Sequence, residues 1–290
     1  MRSLKAKNQK VLITGSYGYL GSCLVQALKT KQIEYLTIDK MASSDPRHFC
    51  FDLKDGKQTL DCIEQFKPNC LIHCATHSAL AYQHQFLDSF KEDSLVLFNL
   101  LEALKKTSDC CLIYFSSSYV YSGLSPESSV HENSLLRPTH HFGIAKSFFE
   151  QLLMKTHANS VIFRLFSVFG PGNYLFPNSV HNMVQECQEM GRITVWGEGK
   201  RKMQYIFIKD VIRCLERDLS PGIYNVGGDE YLSTLETAKI IAEIFGGDLV
   251  FRKDKREGET LPFGDNSKIK GACGQNFFTP FATAIREYRL

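Results

Sequence analysis

The chain has 290 residues, 43% hydrophobic and 22% charged, a length that fills one large domain or a domain with a smaller lobe. Its net charge of +3, spread along the chain, gives no footing for nucleic acid; the basic run "GKRKMQY" at 199–205 reads as a local anion site or a solvated turn. No stretch approaches the roughly 18 apolar residues of a membrane helix, so no membrane partner is expected. The ten cysteines lack paired spacing and several sit in apolar runs, the pattern of buried thiols in a reducing cytoplasm.

The basic start "MRSLKAKNQK" meets an apolar run of four residues that stops at Gly15, which is not a signal peptide. "KVLITG" (10–15) is the first predicted strand, a short continuous apolar run of the kind seen in parallel strands covered on both faces. It enters Gly15, Gly18 and Gly21, then a helix at about 19–31 with Leu20, Leu24, Val25 and Leu28 on one face. Glycines at such a turn allow close backbone approach and let a diphosphate rest on the helix N-terminus. "YLTID" (35–39) ends at Asp39, eighteen residues past Gly21. A carboxylate there accepts from a ribose 2′-hydroxyl and repels a 2′-phosphate, so NAD is expected rather than NADP. A third short strand leads into "FDLKD" (51–55), whose Asp52 is a candidate for the adenine edge.

A helix at about 57–66 precedes the strand "CLIHCA" (70–75). "CLIHCATH" places Cys70, His73, Cys74 and His77 close together. Residues three apart on an extended strand face opposite sides of a sheet, so ordinary strand-end residues and no metal site are expected. Next come a helix at about 84–106, the strand "CLIYFSSS" (111–118), a helix at about 140–157 and the strand "SVIFRLF" (160–166). The alternation predicts a doubly wound α/β sheet. In the helix at 140–157, Lys146 stands one turn beyond Phe142 among largely apolar residues, and needs a reason to be there. After Gly170 the texture changes. "FGPGNYLFPN" (169–178) is rich in turn residues; "MQYIFIKDVIRCLER" reads as a strand and helix, followed by "GIYNVGG", a helix at 233–245 and the tail "FATAIREYRL". The expected division is a nucleotide-binding domain, 1–167 plus about 204–226, and a smaller mixed α/β lobe, about 168–203 and 227–290.

The set T-G-x-x-G-x-x-G at 14–21, Asp39, "DLKD", "IHCAT", "FSSSYVYSG", "RPTHHFGIAK", "RLFSVFGPG", "VWGEGKRKMQYIFIKDV", "GIYNVGG" and "REGE" spans nearly the whole chain. It resembles the extended short-chain dehydrogenases/reductases of the NAD-dependent epimerase/dehydratase family, the nucleotide-sugar-modifying enzymes. The resemblance implies a Rossmann domain with tightly held NAD and a smaller lobe that binds a UDP-, GDP- or dTDP-sugar. It also implies a homodimer in which the two long helices form a four-helix bundle. Cofactor contacts are implied along the turn at Gly15, Tyr17, Gly18, Tyr19, Leu20 and Gly21, and at Asp39, Lys40, Asp52 and Leu53. Others follow at Cys74, Ala75 and Thr76, then Asp93, Ser116, Lys146 and Phe166. Substrate contacts are implied at Ser117, Ser118, Ser167, Asn178, Val195, Arg201, Met203 and Arg256. Ser117 matches the family's catalytic Ser/Thr, with Ser118 beside it. Lys146 matches the lysine of Y-x-x-x-K, which holds the nicotinamide ribose and lowers the pKa of a tyrosine one turn back.

That tyrosine position is Phe142. Phenylalanine keeps the shape and loses the proton carrier. Three readings stand: an engineered Tyr→Phe trap, a natural variant with another base (His140, His141 or Tyr119), or an NAD-binding relative that performs no chemistry. Other departures touch the substrate. Met203 replaces the usual diphosphate arginine, with Arg201 and Lys202 close by, Ser167 replaces an asparagine and Asp93 another. Plainer roles exist as well: a solvated turn for Arg201 and Lys202, a core place for Trp196, a surface pair between Arg256 and Glu257 or Glu259. Where dehydratases carry an Asp-Glu pair, this chain has Ser118 and Tyr119. The expected function is therefore a sugar-nucleotide epimerase or C4 dehydrogenase working by hydride transfer. The alternatives are a 4,6-dehydratase and a non-catalytic NAD-binding subunit or sensor.

Overall fold

The computed structural model describes Leu4 and residues 9–107, 109–172 and 178–288; of the turn-rich run at 169–178, residues 173–177 lie outside the described residues. The first half of the chain gives β1 (Lys10–Thr14), α1 (Tyr19–Thr30), β2 (Glu34–Asp39), β3 (His48–Cys50), α2 (Gly56–Phe66), β4 (Cys70–His73), α3 (Ala79–His84) and α4 (Phe86–Leu104). It continues with β5 (Cys111–Ser117), a 3-10 turn (Ser118–Tyr121), β6 (Ser129–Val130), α5 (His141–Thr156), β7 (Ser160–Leu165) and β8 (Ser167–Phe169). Then follow α6 (Ser179–Met190), β9 (Arg192–Trp196), β10 (Lys202–Phe207), α7 (Ile208–Leu215), β11 (Gly222–Val226) and β12 (Tyr231–Ser233). The chain closes with α8 (Thr234–Phe245), β13 (Asp248–Arg252), β14 (Phe263–Gly264), α9 (Ser267–Cys273) and α10 (Phe281–Ile285).

Two compact units result. The first comprises Met1–Gly123, Leu136–Arg164 and Leu215–Tyr224; the second Leu124–Leu135, Leu165–Cys214 and Asn225–Leu290. Residues 204–214, grouped with the first lobe in the sequence reading, fall in the second unit.

The doubly wound sheet expected from the sequence is present: seven strands in the order β11-β7-β5-β4-β1-β2-β3, with β3-β2-β1-β4-β5 parallel. Its central strands are buried along their length, which is why they read as unbroken apolar runs. Leu12, Leu71 and Leu112 carry the core across to α2, α4 and α5. Strand ends β1, β2, β4 and β5 release their loops at the same, carboxyl edge, where ligands of open α/β sheets bind. The helix expected at about 84–106 is α4 (Phe86–Leu104), and the short α3 (Ala79–His84) before it was not expected. Ser78 caps α3 by accepting from the Ala81 amide, and Gln85, at φ −138° and ψ 59°, leaves the helical region before α4 begins.

In the second unit, β12-β10-β8 form one small sheet, β13 pairs with β9, and β14 with β6. Ser233 starts α8 through a reciprocal capping box with Glu236. Gly191 ends α6 in the left-handed conformation.

Candidate functional site

In the first unit the glycine turn is built for close backbone contact. A Cβ on Gly21 would stand 2.1 Å from the Gly15 carbonyl oxygen, so nothing larger fits without moving the turn. Gly18 opens α1 with no side-chain cap, leaving the helix's first amides to an outside acceptor. The Ser16 hydroxyl is buried there with no hydrogen-bond partner. Asp39 is held from two sides, accepting from the Tyr17 amide at 3.0 Å and the Met41 amide at 3.1 Å. Tyr17 is half exposed, its ring edge-on to His48. Lys40 reaches Asp52 at 3.5 Å. Burial opposes the Asp52 charge, yet the Lys54 amide and the Lys40 and Lys54 ammonium groups hold its carboxyl below the ordinary value. The Leu53 side chain is buried, and its carbonyl accepts from Asn99 at 2.9 Å. Tyr19 and Leu20, in the first turn of α1, are partly buried.

Ser117 and Ser118 sit where β5 turns into the 3-10 segment, and the Ser117 hydroxyl accepts from the Tyr119 amide at 3.2 Å. Helix α5 crosses this segment in backbone contact: a Cβ on Gly143 would lie 2.1 Å from the Tyr119 carbonyl oxygen. The crossing places Phe142 against Tyr119 and Tyr82, with ring centroids 6.2 and 5.5 Å away. One turn on, Lys146 is 2% exposed. Its ammonium donates to the Tyr114 hydroxyl at 3.1 Å and the Thr76 hydroxyl at 3.4 Å, and lies 5.2 Å from the Phe142 ring centroid. Burial pushes its pKa down to about 8, with Asp93 and Glu150 acting in the opposite direction. At neutral pH the lysine stays charged and donates to hydroxyl partners. Cys74 and Ala75 stand just before Thr76, where the ends of β4 and β1 press together.

Two residues expected to contact the cofactor, Ser116 and Asp93, make hydrogen bonds within the unit. Ser116 donates to Glu150 at 2.5 Å, and Glu150 pairs with Arg164 at 2.7 Å, both ion-pair side chains 2% exposed. Arg164 also donates to the Tyr121 hydroxyl. Ser116 is therefore committed to holding β5 on α5. Asp93, on α4, is 4% exposed and accepts from the His77 ring Nδ1 at 2.7 Å, the His77 amide at 3.1 Å and the Tyr82 hydroxyl at 2.8 Å. Both of its carboxylate oxygens are engaged within the unit. His140 is the cap of α5, its Nδ1 accepting from the Phe142 amide at 3.1 Å. His141 is exposed and packs on Phe86.

The second unit contains a cavity of about 310 Å³ lined by Trp196, Met183 and Met203 with Asn182, Thr194 and Arg201 among its polar groups. The size and mixture suit a small ligand with a flat apolar part. Trp196 is 54% exposed rather than core, while Val195 is fully buried. Alternation along β9 sends Thr194 and Trp196 to the cavity and the Val195 side chain inward. The Arg201 amide donates to Glu257 at 2.6 Å and its Nε to the Glu259 carbonyl at 2.9 Å. Asn178 is the cap of α6 and also donates to the Val168 carbonyl, so it is spent within the fold. Phe166 is buried, its ring within 2.0 Å of where a Gly264 Cβ would be. Ser167 pairs with Tyr205 in the β8–β10 ladder, and Arg256 is exposed and outside the cavity lining.

Sequence reading did not find the partners of these groups. Tyr114 looked like one more apolar strand residue, and His77 and Tyr82 carried no motif. Only the odd carboxylate at Asp93 hinted that something nearby must bond it.

Residues 11–227 match the NAD dependent epimerase/dehydratase family. Among curated relatives, dTDP-D-glucose 4,6-dehydratase of Dictyostelium discoideum is 26% identical over 81% of this chain, which spans 62% of that protein's length. Methionine adenosyltransferase 2 subunit beta of Xenopus laevis is 27% identical over 97% of this chain and 87% of its own. Among solved structures, Thermus thermophilus UDP-glucose 4-epimerase in complex with NAD superposes with a TM-score of 0.81, covering 96% of this chain and 97% of that one at 21% identity.

Proposed function

Because this chain belongs to the NAD dependent epimerase/dehydratase family, we propose that it holds NAD and acts on a nucleotide sugar by hydride transfer at the sugar C4. The observation that carries the reading is the buried, hydrogen-bonded Lys146 one turn beyond the phenyl ring of Phe142 and beside the Ser117 strand end. NAD supplies the hydride acceptor. The residues fit it: the Gly18 helix start, the orphaned Ser16 hydroxyl and the fixed Asp39 carboxylate match a diphosphate and a ribose 2′-hydroxyl. Lys146 would bind the nicotinamide ribose, and the Ser117 hydroxyl would bond the substrate oxygen. The cavity with Trp196 and Arg201 would take the base and diphosphate of the nucleotide. With Ser118 and Tyr119 in place of a dehydratase's acidic pair, C4 epimerisation or oxidation is favoured over loss of water. Two such chains would pair through α4 and α5, whose Leu95, Phe98, Ile144, Phe148 and Met154 are exposed.

A second reading has its own support. Phe142 removes the usual proton carrier, and one relative matching nearly the whole chain is named as a subunit of another enzyme. On that reading the protein keeps NAD and performs no chemistry. The discriminating experiment adds UDP-, dTDP- and GDP-sugars to the NAD-loaded protein and to its Phe142→Tyr variant, and follows bound NADH by absorbance. Phe142→Tyr restores a phenol beside Lys146, and general acid–base groups contribute about 10²–10⁴-fold. Absence of reduction in both proteins with every sugar would refute the enzymatic reading.

A further inference from the structure

Phe142 leaves the C4 proton without an obvious carrier, and the candidates near Lys146 can be sorted by their bonds. Tyr82 is fully buried with its hydroxyl on Asp93, and burial followed by that carboxylate's charge raises its pKa. Tyr114, also buried, is raised well above a normal phenol by desolvation. Both keep their protons. His73 has Nδ1 paired with the Thr14 hydroxyl at 2.7 Å, and burial pushes it down to about 4. His140 has its Nδ1 committed to the helix cap.

His77 differs from all of these. Its Nδ1 faces Asp93 at 2.7 Å, its own amide bonds the same carboxylate, and Asp93 is fixed in turn by Tyr82. The side chain is 34% exposed, and Nε2 faces Glu92 at 3.8 Å, itself paired with Lys54 at 3.2 Å. An acceptor-only carboxylate on Nδ1 sets the tautomer: the ring hydrogen is on Nδ1 and the Nε2 lone pair is open. This is the orienting logic of a nucleophile's base and its third group. His77 also lies at the carboxyl edge of the sheet, just after Thr76, which bonds Lys146. Its ring and that of Phe142 pack on the same Tyr82, with centroids 6.3 and 5.5 Å from it. One aromatic ring thus links the imidazole to the position that lacks a phenol.

We propose that His77, oriented by Asp93, is the general base and acid of the C4 step, in place of the missing phenol; this rests on the hydride-transfer reading above. With NAD bound as hydride acceptor, His77 Nε2 would take the proton of the C4 hydroxyl as the C4–H hydride leaves, so that a C4 carbonyl and an imidazolium would form together. Reduction returns both proton and hydride. The groups facing His77 are Asp93 and Glu92 from α4, Tyr82 from α3 and Lys40 beyond β2. The Asp93 hydrogen bond raises its pKa, against the opposing effects of burial and of Lys40.

Two measurements on the full-length, NAD-loaded protein test this. Side-chain nitrogen NMR is expected to show neutral His77 protonated on Nδ1 and titrating above the ordinary ~6.5, with Asp93→Asn lowering that value. An Nε2-protonated tautomer overturns the proposal whatever the activity. The pH profile of nucleotide-sugar-driven NAD reduction should lose rate as pH falls through the His77 pKa, and His77→Gln should remove that limb with a loss of about 10²–10⁴-fold. Retained NAD affinity and melting temperature in His77→Gln confirm that the loss is chemical. An unchanged profile in His77→Gln, or loss of the limb in Tyr119→Phe instead, overturns the proposal. So does an unmodified chain that is inactive while Phe142→Tyr is active, and that result leaves the hydride-transfer reading standing. If neither protein reduces bound NAD, both fall.

Discussion

Replacing Lys146 by methionine should make the cofactor-stripped protein more stable at neutral pH. The side chain is 2% exposed and its pKa falls from 10.5 to about 8. At about 1.4 kcal/mol per pH unit, that fall means the fold carries a penalty of about 3 kcal/mol for keeping this ammonium charged. Methionine has similar length and no charge to desolvate, but it forfeits the bond to Tyr114, about 1 kcal/mol. The net expectation at pH 7 is a gain of about 2 kcal/mol. The pH dependence fixes the sign. Between about 8 and 10.5 the unfolded chain binds a proton at Lys146 that the folded chain does not, so the unmodified protein gains stability as pH rises through that window. The methionine variant has no such rise, and its advantage should vanish by about pH 10.5. Urea unfolding of both proteins at pH 7 and pH 10.5 reads the difference directly. A variant that is less stable at pH 7, or a difference equal at both pH values, would refute the reasoning. A side chain that costs the empty fold this much is retained for what binds it, and NAD should narrow the gap between the two proteins.

Asp39→Ala should narrow a strong preference for NAD over NADP, measured as the ratio of dissociation constants; equal binding of both by the unmodified protein contradicts the role given to the carboxylate. Glu150→Gln leaves Arg164 charged and buried, and should cost about 3–5 kcal/mol in thermal or urea unfolding. A variant melting like the parent would show that the Ser116–Glu150–Arg164 network does not hold β5 to α5. Sedimentation at micromolar protein should give a dimer, converted to monomer by Phe148→Glu in α5; a monomeric parent contradicts the four-helix pairing.

The sheet was legible because its strands advertise themselves. Buried on both faces, β1, β4 and β5 are runs of apolar residues, and the glycine turn and Asp39 follow at fixed distances along the chain. Of the small strands of the second unit, two to six residues long, β10 was legible in "MQYIFIKDVIRCLER"; strands as short as β6 and β14 carry no such signal. Within the site, Lys146 announced itself by chemistry, an ammonium in an apolar helix. Its partners did not, because Tyr114 is 32 residues away in the chain and Thr76 70. The Ser116 bond was equally hidden, because its acceptor Glu150 lies 34 residues on, in a different element.

The turn at 196–201 carries a consequence for the rate of ligand capture. Its amides already close on Glu257: burial works against that charge, yet the Arg201, Lys200, Glu198 and Gly199 amides hold the carboxyl below its ordinary pKa. The loop's freedom is given up when the chain folds rather than when a ligand arrives. A nucleotide reaching the cavity beside Trp196 and Arg201 meets a finished wall, so its association should be a single fast phase, linear in concentration, without the slow isomerisation that marks a loop closing over its guest.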